Sequence, residues 1–149
     1  MSKVCAAYPG EIAAPTDLLK LADEYRRAAG TIAGMGRRGV PISRAPYRLT
    51  AIHAIELYLN SLLLHAGYAP SHVRGLQHDL AARADLAVAA GLVLRKRTAS
   101  HLRTMATSRE YLATRYDPEF TASSSQVNRL AATLYEVAAK VRLAVRTDQ

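Results

Sequence analysis

Two short stretches of this chain hold side chains that could act on a phosphate group. One is Tyr111-Leu-Ala-Thr-Arg115-Tyr116-Asp-Pro118, with Arg109 just ahead of it. The other is Leu76-Gln-His78-Asp79-Leu80. Metal-free cleavage of RNA needs a base for the 2′-hydroxyl, an acid for the leaving oxygen and a cation for the charged phosphorane. His78 could serve as base or acid, because imidazole titrates near neutrality. Arg109 and Arg115 could grip a phosphate bidentately, and Tyr116 could donate a hydrogen bond. The same residues have a plainer use, with His78-Asp79 capping a helix and Arg115-Tyr116 closing a turn. To act together, His78 and Arg115 must lie within roughly 12 Å, which one phosphate with hydrogen bonds of about 3 Å at each end can bridge. Two consecutive antiparallel helices, one starting at His78 and the next ending near Tyr116, would bring them to one end of a bundle.

A second polar set is His53, Glu56 and Asn60, spaced i, i+3, i+7 on an otherwise apolar segment. That spacing puts all three on one narrow helical face. Polar groups on a central helix must be hydrogen-bonded or line a cleft, so the stripe is either a structural network or a ligand-binding surface. A metal site is not expected. His65, His72 and His78 are close in sequence, but no carboxylate follows at ligand spacing. The chain has no HExxH, CxxC or glycine-rich phosphate loop, and no cofactor is indicated.

The elements that position these residues are helical. Of 149 residues, 28 are Ala, the best helix former. No run of β-branched and aromatic residues alternates over strand length. An all-α chain of one domain follows, with 1–14 as a flexible leader and 15–149 as an up-and-down bundle. Cys5 is the only cysteine, so no internal disulfide can form. The apolar segment 51–66 is too short and too polar to span a membrane, and a cytoplasmic location is expected. The net charge is +8, from 16 Arg and 4 Lys against 12 acidic residues. That favours phosphate-bearing partners such as RNA or nucleotides, although a GC-rich genome also yields Ala- and Arg-rich proteins.

Periodicity outlines the bundle. A first helix with Thr16 as N-cap carries Leu18, Leu21, Ala22, Tyr25, Ala29 and Ile32 as its stripe and runs to about Gly34. The stretch from Gly34 to Arg48 holds Arg37, Arg38, Arg44 and Arg48 among glycines and prolines. It reads as an unstructured crossover with solvated arginines, or as a functional loop. A second helix, Tyr47 to His65, is apolar nearly all round, which predicts a central position or burial in a homodimer. A loop to Gln77 precedes a third helix, capped by Asp79 and stopped by Gly91. A fourth runs from about Thr98 to Tyr111 or beyond, with Leu102, Met105, Ala106 and Leu112 as its stripe, and ends before Asp117-Pro118. Ser123 and Gln126 form a capping box for a last helix from Val127 to about Arg146.

Three motifs in register resemble those of HEPN domains. Ile52-His-Ala-Ile-Glu56-Leu-Tyr-Leu-Asn60-Ser-Leu-Leu-Leu64-His-Ala-Gly67 is similar to their second helix, His78-Asp79-Leu80 to the opening of their third, and Tyr111-x-x-x-Arg115-Tyr116 with Pro118 to the segment after their fourth. The resemblance implies a four- or five-helix bundle, often dimeric. It also implies a nucleotide- or RNA-binding module, with toxin–antitoxin systems and nucleotidyltransferase partners as its settings. In such pairs a tyrosine like Tyr116 can accept a nucleotidyl group. A metal-independent endoribonuclease is the alternative, and a structural homodimer for protein interaction is a third. The nuclease branch carries Arg, four to six residues, then His. Here the sixth residue after Arg109 is Arg115, and Arg95 with His101 matches the spacing only formally.

Overall fold

The computed structural model describes residues 8–121 and 126–146, and these form α-helices joined by short turns. Helix α1 spans Pro15–Ile32, α2 Ala45–His65, α3 Pro70–Gly75, α4 Leu80–Ala89, α5 Lys96–Thr107, α6 Glu110–Tyr116, α7 Pro118–Thr121 and α8 Val127–Arg146. There is no strand among the described residues, only an isolated bridge between Arg37 and Val40. No helix among them is long and apolar enough to cross a membrane. The fold is an all-α bundle.

Residue pairs give the directions. Tyr58 donates to Asp23 at 2.5 Å and Ser61 to the Pro15 carbonyl at 2.6 Å, so α2 returns antiparallel along α1. Thr98 meets Glu136 and His101 meets Thr133, so α8 runs antiparallel to α5. Arg103 reaches back to Asp85, which sets α5 antiparallel to α4. Helix α2 is central. Ala51, Ile52, Ala54, Ile55, Tyr58, Leu59 and Leu63 are all but inaccessible, covered by α1, α4, α6 and α8 of the same chain. Its all-round apolarity is therefore satisfied within one protomer and does not call for a dimer.

Helix ends follow local chemistry. Gly67 and Gly91 adopt φ of +100° and +109°. Each allows a pair of reversed hydrogen bonds: Tyr68 N–H to Leu63 O with Gly67 N–H to Leu64 O, and Leu92 N–H to Ala87 O with Gly91 N–H to Val88 O. This is how a left-handed residue satisfies the last free carbonyls of a helix. Asp79 caps α4 by accepting from Ala82 N–H at 3.0 Å. In α1 the N-cap is Ala14 rather than Thr16, with Pro15 as the first helical residue. Asp17 supplies the polar contact by accepting from Ala14 N–H at 3.0 Å. The expected capping box involves Ser123, which lies outside the described residues, as does Cys5.

Four expectations need correction. The buried face of α1 uses Leu19 with Ala22 and Ala29, while Leu21 is 44% exposed. The stretch before α2 is ordered: Ser43 Oγ accepts from Arg37 N–H at 2.7 Å and donates to Val40 O at 2.6 Å. The stretch after α2 contains a short helix, α3, begun by Pro70 at a favourable first-turn position. The fourth helix is not continuous. It breaks at Arg109, whose φ is +50°. Thr104, Thr107 and Ser108 bond back to carbonyls four residues earlier, which weakens the helix there. The break turns Glu110 into the core, where it meets Arg48 at 2.9 Å, and leaves Leu112 43% exposed.

Candidate functional site

The end of the bundle where α4 begins and α6 follows α5 gathers most of the candidate residues. The His78 ring stacks on Tyr111, with centroids 3.8 Å apart and planes 21° from parallel. Arg115, one turn further along α6, donates from Nη1 to the Tyr111 hydroxyl at 2.6 Å. Its guanidinium also lies over the Tyr111 and Tyr116 rings, at 5.2 and 4.9 Å. His78 and Arg115 thus sit on either part of one tyrosine, well inside the roughly 12 Å that a bound phosphate can bridge. Tyr116 is 69% exposed. Arg109 is exposed and lines, with His78 and Tyr111, a cleft of about 650 Å³.

Two backbone positions shape this cleft. Gln77 and Arg109 both line it, and both hold positive φ, +51° and +50°. Left-handed non-glycine residues cost about 1–3 kcal/mol and persist where the surroundings over-determine them. Arg109 is fixed by Glu110, whose carboxylate is buried against Arg48. Gln77 turns the chain into the Asp79 cap.

The stripe on α2 supports the same site from beneath. Glu56 is buried, and its Oε1 lies 3.2 Å from Arg83 Nη2 and 3.3 Å from His78 Nδ1. Asn60 Oδ1 accepts from Arg83 Nε at 2.7 Å. A carboxylate can only accept, so Nδ1 of His78 carries the proton and its Nε2 is left as the ring's second nitrogen. Glu56, Asn60, His78 and Arg83 also line a further cleft of about 620 Å³. His78 and Gln77 therefore form the ridge between two clefts. His53 stands apart from the ion pairs. It is half-buried, meets Tyr25 edge-on at 4.6 Å, and burial pushes its pKa below the usual imidazole value despite nearby Glu56.

Arg95 and His101 do not form a pair. Arg95 is the exposed N-cap of α5, and its backbone N–H donates to Glu136 at 2.8 Å. His101 is buried against Thr133 at 2.7 Å. Burial, with Arg129 and Arg48 nearby, lowers its pKa to about 4, so it is neutral at pH 7. Two contributors escaped the sequence reading. Arg83, only 2% exposed, has no local signal as the partner of a residue 27 positions earlier. Tyr111 stood in a motif, but nothing there marked it as the ring between His78 and Arg115. The chain matches no family model, no curated protein and no solved structure, so the chemistry of the site rests on its own geometry.

Proposed function

We propose that this chain is a HEPN-like module that binds a nucleotide or RNA at the His78–Tyr111–Arg115 ridge. The supporting observation is the unneutralised, pre-set guanidinium of Arg115. It is held by the Tyr111 hydroxyl and two aromatic faces, and no carboxylate pairs with it or with Arg109 among the described residues. A planar fork already fixed in place loses little freedom on gripping a phosphate. Exposed Tyr116 beside it offers a face on which a base can stack. The net charge of +8 adds attraction for a polyanion. On this reading, homodimer formation and a nucleotidyltransferase partner remain part of the proposal. Since α2 is filled within one protomer, a dimer would use another face. The test is titration of a fluorescent single-stranded RNA and of a nucleoside triphosphate at low and high salt. Absence of salt-sensitive binding to either would end the reading.

A second reading has its own observation. Glu56 orients His78 through Nδ1, leaving Nε2 free to take a proton, and Arg115 stands across Tyr111. That supplies two of the three groups metal-independent RNA cleavage needs, His78 as base or acid and Arg115 stabilising the phosphorane, with Tyr116 beside Arg115 as the candidate for the other proton transfer. Incubation of the protein with total RNA, with and without EDTA, separates the two readings. Cleavage that survives EDTA and disappears in His78→Gln supports the enzyme, and intact RNA leaves only binding.

A further inference from the structure

Phosphate binding at the ridge leaves the cleft on the other side of His78 unexplained. That cleft encloses about 620 Å³ and takes lining residues from α1, α2 and α3. Leu21 of α1, Leu57 and Leu64 of α2 and Val73 of α3 give it apolar walls. Leu21, which belongs to the apolar period of α1 but is 44% exposed, spends its exposed surface here. An apolar cleft of this size with a few converging polar groups is the usual form of a small-molecule site.

The polar groups stand one turn apart on α2. Asn60 lines the cleft, and its Oδ1 accepts from Arg83 Nε at 2.7 Å. A guanidinium only donates, so the amide is oriented, with its oxygen on Arg83 and its nitrogen left over. That Nδ2 is accessible and has no hydrogen-bond partner among the described residues. Glu56 lines the same cleft. Its carboxylate receives Arg83 Nη2 at 3.2 Å and His78 Nδ1 at 3.3 Å. Those donors fill two of about four lone-pair positions, so it can accept two more. The cleft thus offers a donor beside an acceptor of double capacity. Arg83, only 2% exposed, holds both groups, so they are set before a ligand arrives.

We infer that this cleft takes a guanine base, its N1–H and 2-amino group donating to Glu56 and its O6 accepting from Asn60 Nδ2. The faces of the purine then pack on the apolar walls. Adenine offers a single donor group beside its acceptor. Cytosine and uracil each offer a single donor group with two acceptors, one of which a carboxylate repels. Each of these bases forfeits a charge-assisted hydrogen bond that guanine makes. The inference rests on the nucleotide-binding reading of the ridge for the choice of a base as occupant. His78 borders both clefts, so a nucleotide seated on Glu56 lies against the ridge that would hold its phosphate.

The test is titration of the ¹⁵N-labelled full chain with the 5′-monophosphates of guanosine, inosine and adenosine, followed by amide shifts. Saturable changes are expected in residues 18–21 and 56–64. Inosine lacks the 2-amino group, so its nucleotide should bind roughly tenfold or more weakly than that of guanosine, the worth of one hydrogen bond to a charged group. This comparison needs no variant to fold. The adenosine nucleotide should be at least as weak. Asn60→Asp keeps an acceptor for Arg83 but exchanges the free donor for an acceptor. It should lower the ratio of guanosine to adenosine affinity roughly tenfold. Arg97→Gln, at an exposed position on α5, should change nothing. Equal binding of the three nucleotides, or an unchanged ratio in Asn60→Asp, would overturn the base assignment, and the ridge reading would still stand if Arg115→Gln weakened all three alike. A guanosine preference that persists while Arg115→Gln has no effect supports the cleft and ends the ridge reading. Saturation by none of the three would overturn both.

Discussion

Arg48 and Glu110 lie 62 residues apart and close an ion pair of 2.9 Å, with the glutamate side chain 1% exposed. The pair explains a local irregularity and the geometry of the candidate site together. Glu110 can reach Arg48 because Arg109 turns left-handed just before it, and that turn gives α6 the direction that sets Tyr111 on His78. Breaking a buried pair by removing one partner costs about 3–5 kcal/mol, because it strands the other charge. Glu110→Ala should therefore lower the unfolding free energy by roughly that amount in a denaturant titration. The double substitution Arg48→Met with Glu110→Leu should recover most of it. A loss under about 1 kcal/mol for Glu110→Ala would show that water reaches the pair.

Arg109 separates folding from binding. Its φ of +50° suits glycine, which has no Cβ to clash in the left-handed region. Arg109→Gly should be neutral or stabilising by up to about 1 kcal/mol, since relief of strain offsets the looser unfolded chain. If Arg109 also contacts a phosphate, the same variant should bind RNA more weakly. A marked loss of stability would mean that its side chain, not its backbone, holds the turn.

Glu56 stands between Arg83, which is 2% exposed, and His78. Glu56→Ala would leave a buried guanidinium with Asn60 and the Asp79 carbonyl, and with the weaker attraction of the Asp79 carboxylate as its remaining counter-charge. A destabilisation of about 1–3 kcal/mol is expected from the unpaired donors, towards the upper end because one is charged. Thermal unfolding of Glu56→Ala beside Glu56→Gln checks this, the glutamine keeping shape and one acceptor. Equal melting temperatures for wild type and alanine variant would place the stripe outside the stabilising network.

The pH dependence of stability has a stated sign. His101 titrates at about 4 when folded and near 6.5 when unfolded. Between those values the unfolded chain binds more protons, so stability is fully present above about 6.5 and is lost as pH falls towards 4. The shift corresponds to a loss of the order of 3 kcal/mol. His53, lowered by burial, acts in the same direction. Glu136 is held below the usual carboxylate range by Arg95 N–H, Thr98 and Lys140 against the opposing effect of burial, so its contribution is lost at more acidic pH. Urea midpoints should stay level from pH 7.5 to about 6.5 and then fall towards pH 4, more shallowly in His101→Gln. A flat profile for the wild type would refute the burial of a neutral imidazole.

The parts of this fold legible in the sequence are those fixed by neighbours. The Asp79 cap and the Gly67 and Gly91 stops are local, and α8 shows an apolar period from Val127 to Ala144 in the sequence. What escaped depends on distant partners. Near Arg109 only Thr104, Thr107 and Ser108 mark a weakened helix, and the other cause of the break, Arg48, lies on another helix. The arginines from Arg37 to Arg44 look solvated until Ser43 is seen to hold their turn. In the candidate site, His78, Arg115 and Tyr116 could be singled out by type and spacing. Their connection through Tyr111, and the support of His78 by Glu56 and Arg83, needed the helix directions.

Arg115→Lys tests the ridge most directly. Lysine keeps the charge, so attraction at a distance is preserved. It cannot hold the Tyr111 hydroxyl and present a planar fork at once, nor stack over Tyr111 and Tyr116 as guanidinium does. RNA affinity at fixed salt should fall roughly tenfold, about the worth of one charge-assisted hydrogen bond. The slope of log affinity against log salt should stay close to wild type, because the same number of phosphates is neutralised. Arg115→Gln should reduce both, with the slope shrinking by about one. Tyr111→Phe should fall between, keeping the ring against His78 while releasing the Arg115 anchor. Fluorescence anisotropy across a salt series distinguishes these cases, with circular dichroism confirming that each variant folds. Wild-type affinity in both Arg115→Lys and Arg115→Gln would remove Arg115 from the binding surface and leave the stack of His78 on Tyr111 as a structural contact.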